Sequence, residues 1–263
     1  MFKLGNLPKA LIHSVLIRIP QRVLAKIEAK AQFFQGKGWG AATTDAEVSA
    51  IRDLLGKKDA PSLIALDVGA NIGNWSQSFA EAFPKSQIVA FEPGASAFKV
   101  LESRFQSKSN ILCVNLGLSD HDAEVTLFSD SEASGLSSVN QRRLEHFSIK
   151  FDKEETIRVT KLDSWISSHS EYSTPTILKL DVEGHELSVL AGAKETIKNI
   201  QLVQFEFGGG NIDSKTYFQD FWYLFADLDF DLYRLTPRGP VMVNEYSEML
   251  EVFRPTNYFA VRR

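Results

Sequence analysis

Apolar residues recur every fourth position near the N-terminus, at Leu11, Val15, Ile19, Val23 and Ile27, the period of an amphipathic helix. The spacing predicts a helix over residues 8–33. Pro20 should kink or split it, because proline lacks an N–H and crowds the preceding turn. Gly36-Lys37-Gly38-Trp39-Gly40 reads as a loop, and Thr44-Asp45-Ala46-Glu47 as a capping box opening a helix to about Leu55. Short, wholly apolar runs then alternate with helical stretches. Residues 63–66 form a run ending in Asp67, followed by a glycine-containing turn and a helix over 75–83. Residues 87–91 end in Glu92, with Pro93-Gly94 turning into a helix over 96–105. A third run covers 111–114. A fourth, 176–180, ends in Asp181 and precedes a helix over 186–197. A fifth, 202–205, ends in Glu206 and a glycine triplet.

Buried strands alternating with helices predict an α/β fold: a doubly wound, mostly parallel sheet with helices on both faces, plus an N-terminal helical extension. Between the third and fourth runs the period changes. Residues 124–128 and 156–161 alternate polar and apolar, as a half-exposed pair of strands would. They flank a polar insert of about 129–155 without clear periodicity. The expected organisation is a basic extension over 1–40 and one domain over 41–263. The aromatic group Phe218, Phe221, Trp222, Tyr223 and Phe225 sits at mixed helical spacing and reads first as core.

Charge changes this picture in one place. The 263 residues carry a net charge of −4, but Lys3, Lys9, Arg18, Arg22, Lys26, Lys30 and Lys37 face only Glu28 within residues 1–38, a net of +6. The rest carries −10, so the whole chain has no basic footprint for nucleic acid. A basic amphipathic helix can dock on its own domain, a dimer mate or an anionic membrane. Arg18 interrupts the apolar part, and no small-residue cleavage site follows, so this head is not read as a secretory signal. The lone Cys113 cannot close an intramolecular disulfide, which fits a reducing compartment; the expectation is cytoplasmic, with peripheral membrane contact left open.

Four strand runs end in acids: Asp67, Glu92, Asp181 and Glu206. In an open α/β sheet, ligands bind beyond the carboxyl ends of the strands. Gly69 and Gly73 in Asp67-Val68-Gly69-Ala70-Asn71-Ile72-Gly73-Asn74 would let backbone approach a ligand and admit positive φ. Their G-x-x-x-G spacing is not the dinucleotide fingerprint, so nicotinamide-dependent oxidoreduction is disfavoured. An acid before the first glycine suits a cationic amino group, and Glu92 is placed to accept both hydroxyls of a ribose. Amino acid at one end and ribose at the other describe S-adenosylmethionine.

The strings LDVGANIGNWS, FEPGASAF, VNLGLSD, LKLDVEGHELSVLAGA and VQFEFG resemble, in order and spacing, the FkbM-type S-adenosylmethionine-dependent methyltransferases over residues 41–209. The resemblance implies a Rossmann-like sheet and O-methylation, often of sugar or polyketide hydroxyls. It also implies that Asp67, Gly69, Asn71, Gly73 and Asn74 line the methionine end, that Glu92 holds the ribose, and that Asn115, Leu116 and Gly117 lie along the adenine. The basic head and the tail beyond Asn211 carry no match of this kind.

Methyl transfer to a hydroxyl needs a general base or a cation, since an aliphatic hydroxyl is scarcely ionised near neutrality. The candidates cluster at Lys179, Asp181, Glu183, His185 and Glu206 on two neighbouring strand ends; His185 is the natural base, and Asp181 could bind an acceptor hydroxyl, orient His185 or face the cofactor's charge. Lys179 reads as a salt-bridge partner. A hard divalent cation such as Mg²⁺, if used, would take Asp181 and Glu206. The expected acceptor is a hydroxyl of a sugar, glycan or glycosylated metabolite. The alternatives are an N- or C-methyltransferase, or a non-catalytic scaffold of the same fold docking through its basic helix on a membrane or partner.

Overall fold

The computed structural model describes residues 19–40, 44–56 and 63–263. The part of the predicted N-terminal helix before Ile19 lies outside the described residues. Immediately after Pro20 the chain forms a helix, α1 (Gln21–Phe34), with that proline as its N-cap: proline at the boundary starts the helix here, as its missing N–H permits.

Next come α2 (Thr44–Leu55), β1 (Ile64–Val68), α3 (Asn74–Ala82), β2 (Gln87–Phe91), α4 (Ala95–Phe105) and β3 (Ile111–Val114). β4 (Gly117–Leu118), β5 (Ala123–Ser129) and β6 (Lys153–Thr160) follow, then α5 (Leu162–Ser167), β7 (Ile177–Leu180), α6 (Glu186–Ala191) and β8 (Leu202–Phe207). The chain ends with α7 (Gly210–Ser214), α8 (Phe218–Asp227), β9 (Phe230–Thr236), β10 (Gly239–Val243) and β11 (Thr256–Arg262).

The main sheet runs β10-β9-β11-β8-β7-β1-β2-β3. From β3 to β8 all neighbours are parallel, while β11, β9 and β10 join antiparallel at the β8 edge. Strand order reverses between β1 and β7, so their carboxyl ends make the crevice where such sheets bind ligands. Alternate side chains go to two cores. Leu66, Val68, Leu178 and Leu180 pack toward α5, α6 and α8. Ala65, Ile88 and Ile177 pack toward Val48 of α2, Trp75 and Phe79 of α3 and Leu101 of α4. The mostly parallel sheet covered on both faces is therefore as the sequence pattern requires.

Three elements depart from expectation. The helix after Glu186 stops at Ala191, and residues 196–199 form a separate 3₁₀ turn. Gly192 explains the stop: a Cβ there would lie 1.9 Å from the Ser119 carbonyl oxygen, so the chain passes another backbone too closely to continue a wide helix. The polar–apolar pair is β5 against β6, in a second, three-stranded sheet, β4-β6-β5. The tail adds three strands that local periodicity did not announce. Three of the aromatic group are core: Phe218, Phe221 and Phe225 are fully buried, and Phe205 stacks on Phe221 and Phe225 at 4.8 and 5.3 Å, while Trp222 is half-buried and Tyr223 is exposed.

Candidate active site

A cleft opens at the carboxyl ends of β1, β2 and β7 and encloses about 760 Å³, its open mouth included. Its floor is Val68, Gly69 and Phe91, and one end is Glu92. Glu92 is 7% exposed, and its two oxygens accept backbone N–H bonds from Gly94 and Asn71, each 2.8 Å. Burial pushes its carboxyl up to about 7, while those two N–H groups hold it down. It is anchored, yet on the cleft wall.

One side of the cleft belongs to the second sheet. Leu127, Ile157 and Val159 of β5 and β6 face Pro93, Leu116, Gly117 and Leu118, forming an apolar slot wide enough only because Gly117 has no side chain: a Cβ there would come 2.9 Å from Val159 Cγ1. The sequence placed Leu116 and Gly117 here but missed Leu127, Ile157 and Val159. Their alternation was visible; which object the apolar face would meet was not.

The polar insert crosses the same cleft. Ser134, Gly135, Ser137, Ser138 and Val139 line it. Asn71, at φ 47°, donates from Nδ2 to the Ser134 carbonyl at 3.0 Å while its own Oδ1 accepts from the Ile72 N–H. Ser138 donates to the Glu183 carbonyl, and Arg142 is bound between Glu183 (2.7 Å) and Asp213 (3.2 Å).

Asp67 requires a correction. It is wholly buried and does not line the cleft. Register sets it directly beside Lys179 across β1 and β7, so the two side chains leave the same face of the sheet. The Lys179 ammonium lies 2.9 Å from Oδ1, although its aligned hydrogen bond goes to the Gly69 carbonyl at 3.1 Å. The contact is thus an ion pair, and Ser76 donates to Oδ2 at 2.7 Å. Burial alone would lower the Lys179 pKa; Asp67 and Asp181 more than reverse it, and the ammonium stays charged. Asp67 thus braces the turn and is not placed to meet a ligand's amino group.

Gly69 is glycine for a related reason. At φ 77°, a Cβ would sit 1.9 Å from the Asp181 carbonyl oxygen. Gly73 and Asn74 also stand outside the cleft: a Cβ on Gly73 would strike Phe105 and Leu101, and Asn74 accepts from Arg104. Asn115 braces the wall from behind by donating to the Glu92 and Pro93 carbonyls.

At the other end stand Asp181, Glu183 and His185. Asp181 is half-exposed, with Lys179 at 3.5 Å. Burial lowers the His185 pKa, keeping the imidazole neutral near pH 7. Its Nε2 meets Ser119 Oγ at 2.9 Å, and Ser119 in turn donates to Asp120 at 3.1 Å. When the hydroxyl hydrogen goes to Asp120, Nε2–H is the donor and Nδ1 keeps the lone pair. Glu183, one of the acids clustered by the sequence at these strand ends, is pushed up to about 8 by burial and by Asp181, against Arg142. It lines the cleft from a left-handed backbone position, φ 50°. Glu206 does not line the cleft. It sits by Gly40, whose Cβ would come 2.9 Å from Oε2, and burial followed by Asp181 raises its pKa. Among the described residues, no group of three or more His, Cys, Asp or Glu is arranged to hold a metal ion.

A family model described as "Methyltransferase FkbM domain" matches residues 67–232, well over half of the chain. The chain belongs to the FkbM methyltransferase family. The match runs further into the tail than the string resemblance, reaching β9. This FkbM chain is 25% identical over 165 residues to the 2-O-methyltransferase NoeI of Sinorhizobium fredii, covering 59% of the chain and 68% of that protein. It is 27% identical over 179 residues to the hexuronic acid methyltransferase AglP of Haloferax volcanii, covering 64% and 69%. Among solved structures, an O-methyltransferase from Bacillus cereus in complex with SAH covers 96% of both chains at a TM-score of 0.47 and 9% identity.

The protein is accordingly an S-adenosylmethionine-dependent methyltransferase, and the cleft suits that cofactor. It offers an acid at the end of β2, an apolar slot between Leu116 and the second sheet, and acids at the far end, where a cationic ligand is favoured.

Proposed function

We propose that this FkbM methyltransferase methylates a hydroxyl of a sugar, glycan or glycosylated metabolite. The observation that carries the reading is that Glu92 and the pair Asp181–His185 stand at opposite ends of one cleft. The names of NoeI and AglP support a sugar hydroxyl as the acceptor. Glu92 would hold the ribose, Leu116, Gly117 and the β5–β6 slot the adenine, and Gly69, Asn71 and Asp181 the methionine end. S-adenosylmethionine supplies, when bound, a methyl on a sulfonium that needs no further activation. The chain's own task is alignment of the acceptor and removal of its proton.

His185 takes that proton at Nδ1, the nitrogen left with a lone pair by Ser119 and Asp120. Asp181 orients the acceptor hydroxyl. The half-exposed Asp181 carboxylate favours a cationic ligand over a neutral one, while Glu206, outside the cleft, is biased by burial toward its neutral form. No step in this scheme requires a divalent cation; Asp181 and Glu206 are the residues to which one would bind.

The test is transfer of labelled methyl from S-adenosylmethionine into extracted glycans and small metabolites, followed by location of the label on oxygen, nitrogen or carbon. His185→Ala should lower turnover by about 10²–10⁴ with cofactor affinity within a few fold of the parent. Label on nitrogen or carbon, or full turnover in both His185→Ala and Asp181→Ala, defeats the reading.

A further inference from the structure

α1 is a helix with no buried residue. Only Leu24 and Gln32 are half-covered; Val23, Ile27, Phe33 and Phe34 are 39, 54, 44 and 65% exposed. At about 100° per residue, Val23, Ile27 and Phe34 fall on one stripe about 40° wide. Arg22, Lys26 and Lys30 fill the adjoining arc of about 80° on one side of that stripe. Glu28, the sole acid of the helix, lies on the far side and accepts from Gln32. Among the described residues, none of the three cations is paired with a carboxylate.

The helix is held at a defined place. Arg254 donates to Gln32 Oε1, Arg234 to the Gln35 carbonyl, Lys37 to the Met249 carbonyl, and Gly38 and Gly40 bond Thr256 and Pro255. A Cβ on Gly36 would lie 1.9 Å from the Leu235 carbonyl, so this seat is close-fitting. Thr256 pairs with Phe207 at the carboxyl end of β8, so α1 is seated at the same edge of the sheet as the cleft. Its outward arc is therefore held away from the domain by its inner contacts.

We infer that the outward arc of α1 docks on an anionic lipid surface, with Val23, Ile27 and Phe34 entering the headgroup–acyl boundary and Arg22, Lys26 and Lys30 meeting lipid phosphates. The charge pattern selects this occupant. Cations beside an apolar stripe can lay their stems along it and keep their heads at the phosphates. Two copies joined symmetrically by this arc would bring like charges together. The chain as a whole is acidic, −4, so attraction to lipid depends on this local surface and not on net charge. Among the described residues no helix is long and apolar enough to cross a membrane, so the contact is peripheral. The docking stands independently of the methyl-transfer reading.

The test uses the full chain and flotation with vesicles of phosphatidylglycerol and phosphatidylcholine, or of phosphatidylcholine alone. The chain should float with the anionic vesicles and not the neutral ones, and be released by about 0.5 M salt, where screening is strong. Each basic side chain near such a surface strengthens binding about fivefold, so Lys26→Glu with Lys30→Glu should weaken it by at least roughly 30-fold. Both positions are exposed, and calorimetry with S-adenosylmethionine should give unchanged affinity, proving the variant folded. Three results overturn the inference: no flotation with anionic vesicles, equal binding to neutral ones, or undiminished binding by the folded double variant. So does a dimer in sedimentation equilibrium that Ile27→Asp converts to monomer.

Discussion

Asp67 and Glu92 close adjacent parallel strands, are both nearly invisible to solvent, and do opposite things. Asp67 leaves the sheet on the face where Lys179 stands in register, and Ser76 completes its partners. Glu92 lies one residue past its strand, beyond the last register pair at Phe91, and takes its hydrogen bonds from backbone of two turns. One carboxylate is consumed by a side-chain cation inside the sheet; the other is fixed by dipoles and left on the cleft wall. A strand-end acid is thus a bracing group or a ligand group according to what register brings beside it. The same distinction separates Asp181, half-exposed in the cleft, from Glu186. Glu186 is buried, accepts N–H bonds from Val182 and Gly184, and is pushed up to about 7.

The contrast can be broken most forcefully at Asp67. Asp67→Ala leaves the Lys179 ammonium buried without its main partner and should cost about 3–5 kcal/mol of stability in denaturant unfolding. Adding Lys179→Met should restore much of it. Glu92→Ala should change stability by about 1 kcal/mol or less but weaken cofactor binding about 100-fold, the loss of two hydrogen bonds to a charged acceptor. Reversed outcomes, with Asp67→Ala harming binding alone and Glu92→Ala unfolding the chain, would undo the comparison.

A pH series sharpens it. Unfolded glutamates titrate near 4.3, whereas Glu92 and Glu186 are raised to about 7 and Glu183 to about 8. Between those values the folded chain holds more protons than the unfolded one. Stability should therefore fall as pH rises from about 4.5 to 8 and then level off. Cofactor affinity should rise over pH 6–8 as Glu92 ionises and can accept from a ribose, and Glu92→Gln should flatten that rise.

Smaller effects test the edges of the cleft. Asn71→Gly retains the left-handed backbone but loses the bond to Ser134, and should weaken cofactor binding by about 1 kcal/mol in calorimetry. Asn74→Ala, outside the cleft, should leave affinity within about 0.5 kcal/mol.

Much of this was legible in the chain because it depends on neighbours in sequence. Apolar runs of four or five residues followed by helical spacing specify the alternation of parallel strands and helices, and strand ends bring Glu92, Asp181 and His185 to one edge. Positive φ at Gly69 and Gly73 was also readable from residue type, although both glycines serve backbone and side-chain packing inside the protein. The aromatic spacing of α8 marked a core face without saying that Phe205 and Tyr258 would meet it.

What tertiary structure alone decided are the pairings between distant segments. Register across β1 and β7 turned Asp67 inward to Lys179. Packing of the β4-β6-β5 sheet against Pro93 and Leu116 made the slot. Local periodicity records which side of a strand or helix is apolar; only the folded arrangement chooses what that side, and the charge beside it, will face.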